Sequence, residues 1–203
     1  MATRGFNGRD RSAAAGRPDR LPPGQFVTID FPVLSAGPTP HVALEEWSFT
    51  VRVGPRAIKS WSWRDFVRLP ISSVTRDIHC VTKWSKFDTT WEGVNIQDLL
   101  ADTALEVPTE FALAHSYDGY STNVPVKDLL GGRAMIAIAY DGKPIAAEHG
   151  GPARLLVPHL YFWKSAKWVK ALQFTERDEA GFWELRGYHM YGDPWREQRY
   201  SGD

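Results

Sequence analysis

Hydrophobic and polar residues alternate most clearly over residues 47–53, where every second position from Trp47 to Val53 is apolar. This period of two predicts a half-buried strand that ends at Gly54-Pro55. Shorter apolar runs bounded by turn residues predict further strands over 74–82, 111–115, 135–140, 155–157 and 169–174.

Capping residues predict a few short helices between these strands. Ser62 can accept a hydrogen bond from the N–H of Asp65, which predicts a helix that runs to Leu69. Two more helices are predicted over residues 95–100 and 125–130. Short strands with few short helices predict an α+β domain, built on one dominant sheet system or a distorted barrel.

Three segments lack this periodicity. Residues 26–40 are rich in Pro and Gly, so they are expected to lie over the surface and not in a central sheet. Residues 181–200 are aromatic and charged. Residues 1–24 have neither an apolar core nor an Arg-Arg pair, and we interpret them as a disordered lead-in to a single domain over 25–203. Because they match no export signal, a cytoplasmic location is expected.

Composition narrows the class of protein. The chain has 203 residues, with 24 basic and 24 acidic side chains, and this balance argues against a nucleic-acid binder. A membrane span needs roughly 20 consecutive apolar residues, which the sequence does not contain. Nine Trp residues predict a fold with rigid, aromatic-walled corners.

Cys80 is the one cysteine, which excludes an intramolecular disulfide and a zinc site rich in thiolates. Three interpretations remain for it: an inert core thiol, a nucleophile or a lone metal ligand. It lies near the carboxyl end of the strand over 74–82, before a predicted loop at 83–85. His79 is its neighbour, but adjacent strand residues face opposite sides. A nucleophile built from His79 and Cys80 alone is therefore disfavoured.

Two loops have features that suit a phosphate. In the first, paired glycines before a proline at 150–152 permit a tight turn, and Arg154 presents a fork of donors. In the second, small residues between Lys164 and Lys167 can expose backbone N–H groups to an anion. The alternatives are a plain hairpin and a solvated basic loop. Because Arg154 and Lys167 flank the apolar run 155–158, a hairpin could bring both to one anion. A soft thiolate beside a phosphate site indicates a metal on an organic carrier, without naming the metal.

Three stretches of the sequence, residues 77–85, 149–158 and 164–169, resemble the sulfite-oxidase superfamily. This superfamily includes plant and animal sulfite oxidases and the bacterial methionine-sulfoxide reductase catalytic subunit. The resemblance extends from about Leu21 to Tyr200 and is greatest with small bacterial sulfite-oxidase-like proteins that lack extra domains. It implies a sulfite-oxidase-type molybdopterin-binding fold.

The resemblance also implies a cofactor, Mo-molybdopterin, with Cys80 as the thiolate ligand of molybdenum. It implies that the pterin and its phosphate are held by six further residues: His115, His149, Arg154, Ser165, Ala166 and Lys167. Members of the family use Asp or Thr at the position of His115. Residues 26–40 correspond to a stretch that lines the cofactor.

The implied activity is a two-electron oxygen-atom transfer on a small substrate of the sulfite, S-oxide or N-oxide class. A haem domain has no room in this chain, so a separate electron-transfer partner is expected: a cytochrome, a quinone-linked subunit or a small carrier. Sulfite oxidases carry arginines shortly after the ligand Cys, whereas this chain has Lys83-Trp84-Ser85. Lys83 and Lys86 either attract an anionic substrate or are surface lysines.

Two other hypotheses remain open at this point. Cys80 could be the nucleophile of a cofactor-independent hydrolase, with His115 or His149 as the base. Alternatively, the chain is a non-catalytic module whose aromatic tail binds a partner protein. The tail residues concerned are Trp183, Tyr188, Tyr191 and Trp195.

Overall fold

The structure is a computed structural model that describes residues 18–107 and 109–203. In chain order its strands and α-helices are β1 (Phe26–Val27), β2 (Ser48–Val53), β3 (Arg56–Ser62), α1 (Trp63–Phe66), β4 (Ser72–His79), β5 (Trp84–Asn95), α2 (Ile96–Thr103), β6 (Phe111–Ser116), β7 (Ser121–Pro125), β8 (Met135–Tyr140), β9 (Lys143–Pro144), β10 (Arg154–Leu156) and β11 (Val169–Thr175). Single 3-10 turns lie at Pro18–Arg20, Val126–Asp128, Ala147–His149, Phe162–Lys164 and Glu184–Arg186.

The described strands form two sheets. The first has the order β1-β5-β8-β10, with β4 also paired to β5 and β9 to β8. The second has the order β3-β2-β11-β6-β7. Mixed sheets with few short helices confirm the α+β prediction. Of the two arrangements expected, open mixed sheets form and a barrel does not, because the described strands divide between two sheets and neither order closes on itself.

The main core lies between the two sheets. Phe49 and Val51 of β2 are buried in it, as are Leu155 of β10 and Leu99 of α2. Burial of each such side chain contributes about 1.5–3 kcal/mol to folding. Alternate residues of the first sheet point the other way and form a second apolar cluster. This second cluster contains Cys80 and borders the candidate site.

The predicted strands at 47–53, 111–115, 135–140, 155–157 and 169–174 are confirmed to within one residue or two. The strand predicted over 74–82 ends at His79, and Trp84 and Ser85 begin β5 instead of forming a loop. The sequence did not predict β3, β7 or the rest of β5. Much of β3 is exposed, and polar residues interrupt the alternation along β5. The helix capped by Ser62 is confirmed but ends at Phe66.

The N-terminal segment is held against the first sheet. Arg20 pairs with Asp77 and Asp88, so residues 18–24 contact the domain, and residues 1–17 of the predicted lead-in lie outside the described residues. The Pro-rich segment 26–40 starts with β1, which pairs with the first residues of β5. It is therefore at most an edge of the sheet, as its prolines predicted.

Candidate cofactor-binding site

A cavity of about 290 Å3 lies next to the second apolar cluster. It is lined by the segment after β1, the turn between β4 and β5, the loops before β10 and β11, and the tail after β11. Six of the seven residues predicted for the site line this cavity: Cys80, His149, Arg154, Ser165, Ala166 and Lys167. Chain positions up to 87 residues apart are thus brought to one space by the packing of loops around the first sheet.

Cys80 lies in a tight turn immediately after β4. Its N–H donates to the carbonyl of Trp84 over 2.8 Å, and its carbonyl accepts from the N–H of Lys83 over 3.0 Å. The Thr82 hydroxyl donates to Cys80 Sγ over 3.2 Å. Burial raises the pKa of the thiol, while the Thr82 hydrogen bond and the charge of Lys167 oppose the increase. A cation at Sγ would displace the proton, because metals bind the thiolate.

Arg154 carries a buried guanidinium with few partners. Nη1 donates to the carbonyl of His149 and Nη2 to the carbonyl of Ser165, both over 2.7 Å, while Nε is buried without a partner. The ring of Phe162 lies 4.1 Å from its Cζ. Among the described residues, no ion pair includes Arg154. Burial lowers its pKa to about 9, which indicates that the charge lacks a counter-ion.

Lys167 adds a second cation to the same cavity. Its Nζ donates to the carbonyls of Leu34 and Glu148 and to the Ser35 hydroxyl. Burial and the neighbouring charge of Arg154 lower its pKa to about 7. Burial, together with both cations, also lowers the pKa of His149 to about 4, so this imidazole is neutral at physiological pH.

Of the four residues in the loop 164–167, the last three line the cavity and the first does not. The Ser165 hydroxyl accepts a hydrogen bond from the N–H of Val157, the residue after β10, and the carbonyl of Ala166 accepts one from the N–H of Leu155 in β10. Both residues therefore bind this loop to the segment 155–157. Gly150 allows the two loops to approach, since a Cβ there would lie 3.0 Å from Cα of Lys167. Lys164, the other end of the predicted anion nest, is fully buried and bonded elsewhere.

Three predicted contributors do not reach the cavity. His115 lies in β6, and its Nε2 bonds to Oε1 of Gln173 on β11 over 3.0 Å. His115 is not among the residues that line the cavity, because strand alternation buries Ala114 in the core and turns His115 to the other face. Its contact with the cofactor stays a prediction. Lys83 is exposed, and Lys86 donates to the carbonyl of Ile29, so both are surface lysines.

The sequence interpretation missed most of the aromatic lining and one acid. Asp118, three residues after His115, lines the cavity, and its Asp-Gly turn was the available signal. Phe31 enters from the Pro-rich segment and stacks on His149, with ring centroids 3.9 Å apart. Further aromatic lining comes from Trp84, Tyr120, Phe162, Trp163, Trp168, Trp183 and Tyr188. Trp and Tyr are as common in cores as in sites, so no sequence pattern separates the lining aromatics from the core aromatics.

These residues fit a pterin that carries a phosphate and a sulfur-bound metal. Two buried nitrogens, Nε of Arg154 and Nδ1 of His149, have no partner. Two cations without an ion-paired carboxylate suit a phosphate, aromatic faces suit a planar ring, and a thiol suits a soft metal site. Within the described part of the chain, no group of three or more His, Cys, Asp and Glu side chains could hold a metal ion.

Comparisons with known proteins agree with this fit. The model of the family "Oxidoreductase molybdopterin binding domain" matches residues 36–183. The chain is 40% identical over 185 residues to an uncharacterized oxidoreductase, YuiH, of Bacillus subtilis, covering 91% of this chain and 93% of that protein. It is 22% identical over 193 residues to mitochondrial sulfite oxidase of Drosophila melanogaster, covering 81% of this chain and 34% of that protein.

A solved structure has the same fold. The sulfane dehydrogenase SoxCD of Paracoccus pantotrophus superposes with a TM-score of 0.60 at 18% identity, over 68% of this chain and 40% of that chain. No helix in the described residues is long and apolar enough to cross a membrane. The family match covers the three stretches quoted from the sequence and most of the cavity lining, while Phe31, Pro32, Leu34, Ser35 and Tyr188 of that lining lie outside the matched range. The chain belongs to the oxidoreductase molybdopterin-binding domain family, within the sulfite-oxidase superfamily.

Proposed function

We propose that this protein is a Mo-molybdopterin-dependent oxidoreductase that transfers an oxygen atom to or from a small substrate of the sulfite, S-oxide or N-oxide class. The observation that supports it most directly is the shared cavity of Cys80, Arg154 and Lys167. A single thiol and two cations without an ion-paired carboxylate are the groups that a phosphorylated, metal-bearing pterin needs from its protein.

Each residue has a separate role in this proposal. Cys80 binds the metal through its thiolate, and the turn that fixes its N–H and carbonyl sets the direction of Sγ. Arg154 and Lys167 hold the phosphate, whose charge stabilises theirs. Neutral His149 offers a hydrogen bond to the pterin, and Ser165 and Ala166 keep the loop closed. The bound cofactor supplies the two-electron and oxygen-atom chemistry.

The overall reaction balances with water and a separate redox partner. In the oxidising direction, sulfite and water give sulfate, two protons and two electrons. In the reducing direction, an S-oxide or N-oxide takes up two electrons and two protons to give the reduced compound and water. The electrons pass to or come from a cytochrome, a quinone-linked subunit or a small carrier. A cytoplasmic location remains a prediction that cell fractionation can check.

The two competing hypotheses have less support. A hydrolase with His115 or His149 as its base needs a thiolate beside that base, yet burial raises the pKa of Cys80. His115 bonds to Gln173 away from the cavity lining, and the lowered pKa of His149, about 4, makes it a weak base. The aromatic tail does not form an exposed partner surface, because Trp183 and Tyr188 line the cavity. Of the four tail aromatics Trp183, Tyr188, Tyr191 and Trp195, one is exposed, namely Trp195, with 46% of its surface accessible to solvent.

Metal analysis of Cys80→Ser protein tests the proposal. Protein from a host that makes molybdopterin should contain near-stoichiometric molybdenum and the pterin. Cys80→Ser should abolish turnover while the phosphate anchors still retain pterin. Thr82→Val is the matched control, because it removes only the hydrogen bond to Sγ and should keep the metal. Wild-type protein free of molybdenum from a competent host, or full turnover by Cys80→Ser, would contradict the proposal.

A further inference from the structure

Lys164 and Glu184 form an ion pair that is completely removed from solvent. Lys164 Nζ lies 2.6 Å from Oε1 of Glu184, and neither side chain has exposed area. Nζ also donates to Oδ1 of Asn123 and to the carbonyl of Met190, each over 2.6 Å. The ammonium therefore joins the loop before β11, the strand β7 and the C-terminal tail.

Burial of this pair is not explained by stability alone. Desolvation of two charges opposes their attraction, and apolar replacements of similar volume are often equally stable. Burial lowers the pKa of Lys164, and the charge of Glu184 opposes that decrease. A buried pair does, however, permit few alternative arrangements of the segments that carry it. The pair therefore fixes where the tail sits.

The tail packs against residues that line the cavity. Trp163 Nε1 donates to the same Oε1 of Glu184 over 2.8 Å. The Trp163 ring meets the ring of Tyr188 edge-on, with ring centroids 5.2 Å apart. The ring centroids of Trp183 and Tyr188 are 4.9 Å apart. Trp163, Trp183 and Tyr188, here called the aromatic wall, all line the cavity. The wall and the metal ligand face one space, since Cys80 lines the same cavity.

We propose that Lys164 and Glu184 are positioning residues that hold the aromatic wall beside Cys80, where it binds the organic group of the substrate. This inference rests on the proposed function for the identity of the site. Because the three wall side chains present apolar ring faces and none carries a cation, the wall suits an uncharged aryl or alkyl substituent. Neither Lys164 nor Glu184 lines the cavity, so both act through Trp163 and the tail.

The test uses molybdopterin-loaded protein labelled with 5-fluorotryptophan. The fluorine resonances of Trp163 and Trp183 are assigned with Trp163→Phe and Trp183→Phe. In wild-type protein both should shift on titration with methyl phenyl sulfoxide. In Glu184→Gln, which keeps the shape but loses the charge, both should start at altered positions and respond less to the probe. Trp47 is buried in the main core, away from the cavity, and its resonance should not change.

Turnover separates positioning from general damage. In Glu184→Gln, kcat/KM for methyl phenyl sulfoxide should fall by about 10- to 100-fold, the usual effect of a displaced binding group. Dimethyl sulfoxide is too small to depend on the wall, so its kcat/KM should change by less than about threefold. Equal losses for both sulfoxides would indicate a purely structural role and overturn the inference.

The chain contains a matched control and a second variant. Asp102 also binds a lysine and an indole, since Lys59 Nζ and Trp61 Nε1 lie 2.8 Å from its Oδ2, but this pair is on the surface. Asp102→Asn should leave the fluorine resonances of Trp163 and Trp183 and the kcat/KM values unchanged.

If Glu184→Gln fails to fold, the neutral pair Lys164→Met/Glu184→Gln replaces it, and the same change in the two fluorine resonances is expected. Wild-type fluorine positions and responses in that double variant would overturn the inference. Absence of turnover with wild-type fluorine responses would instead contradict the proposed function.

Discussion

Arg154 holds its charge at 1% exposure with two backbone carbonyls as its hydrogen-bond partners. Arg154→Met removes the desolvation cost of the charge together with these two bonds, so the melting temperature of cofactor-free protein should change by less than about 4 °C. Cofactor retention should fall by about thirtyfold or more, since truncating a buried charged partner costs about 2–5 kcal/mol. Arg154→Lys keeps the charge without the fork and should be intermediate. Wild-type molybdenum content in Arg154→Met would contradict the phosphate role.

Lys167 makes anion binding dependent on pH. Its pKa in the folded protein is about 7, and a bound anion favours the ammonium form. Sulfate affinity of cofactor-free protein should therefore be greatest below about pH 7, where Lys167 is already protonated, and should fall as the pH rises above 7. His149 stays neutral over this range, and Arg154 stays mostly charged below about pH 8.

Sulfate protection against thermal unfolding, measured from pH 5.5 to pH 8, checks this dependence, with both values chosen to bracket the Lys167 pKa of about 7. Lys167→Met should bind sulfate weakly and without the pH dependence. Lys170→Met is the control, because Lys170 is exposed three residues further on. A wild-type affinity that is constant over this range would show that Lys167 does not face the anion.

At the scale of elements, the site depends on the antiparallel pairing of β5 with β8, because this pairing holds together the sheet that presents Cys80 and Arg154. At Gly93 the two strands leave no room for a side chain, since a Cβ there would lie 2.2 Å from the carbonyl oxygen of Ile136. Gly93→Ala should therefore destabilise the domain by about 1–3 kcal/mol or more, as overpacking does. Gly37→Ala, in open space, should be neutral. Equal denaturant midpoints for the two variants would argue against the close approach.

At the scale of the whole molecule, the cavity is lined by an early segment and a late segment of the described chain together. The segment 31–36 and the tail residues Trp183 and Tyr188 line it together with both phosphate-site cations. A bound cofactor should therefore stabilise the entire domain. At a thousandfold excess over Kd, binding contributes about 4 kcal/mol, which corresponds to about 10 °C in Tm for a chain of this size. Calorimetry of loaded and cofactor-free protein measures the difference, and equal Tm values would show that the cofactor does not bridge these parts.

The sequence could predict those parts of the site that depend on local chemistry. Cys80 was identified by its uniqueness, and Arg154 and Lys167 by glycine-rich and small-residue loops. His115, which the family resemblance placed on the cofactor, is not part of the cavity lining, because which face of a strand points to a site depends on how the sheets pack. Lys164 could not be distinguished from Lys167, since the difference lies in a partner, Glu184, that is 20 residues further along the chain.

The sequence by itself determined the α+β class, most strands and the family, and through the family resemblance it pointed to Cys80 as the expected metal ligand. Hydrophobic period, capping and turn residues act over a few positions, and such signals survive in any context. Only the tertiary structure decided that two sheets form in place of one, that Phe31 and Trp183 meet at one cavity, and that Lys164 is buried. These outcomes depend on contacts between residues far apart in the chain, whose energies no local pattern contains.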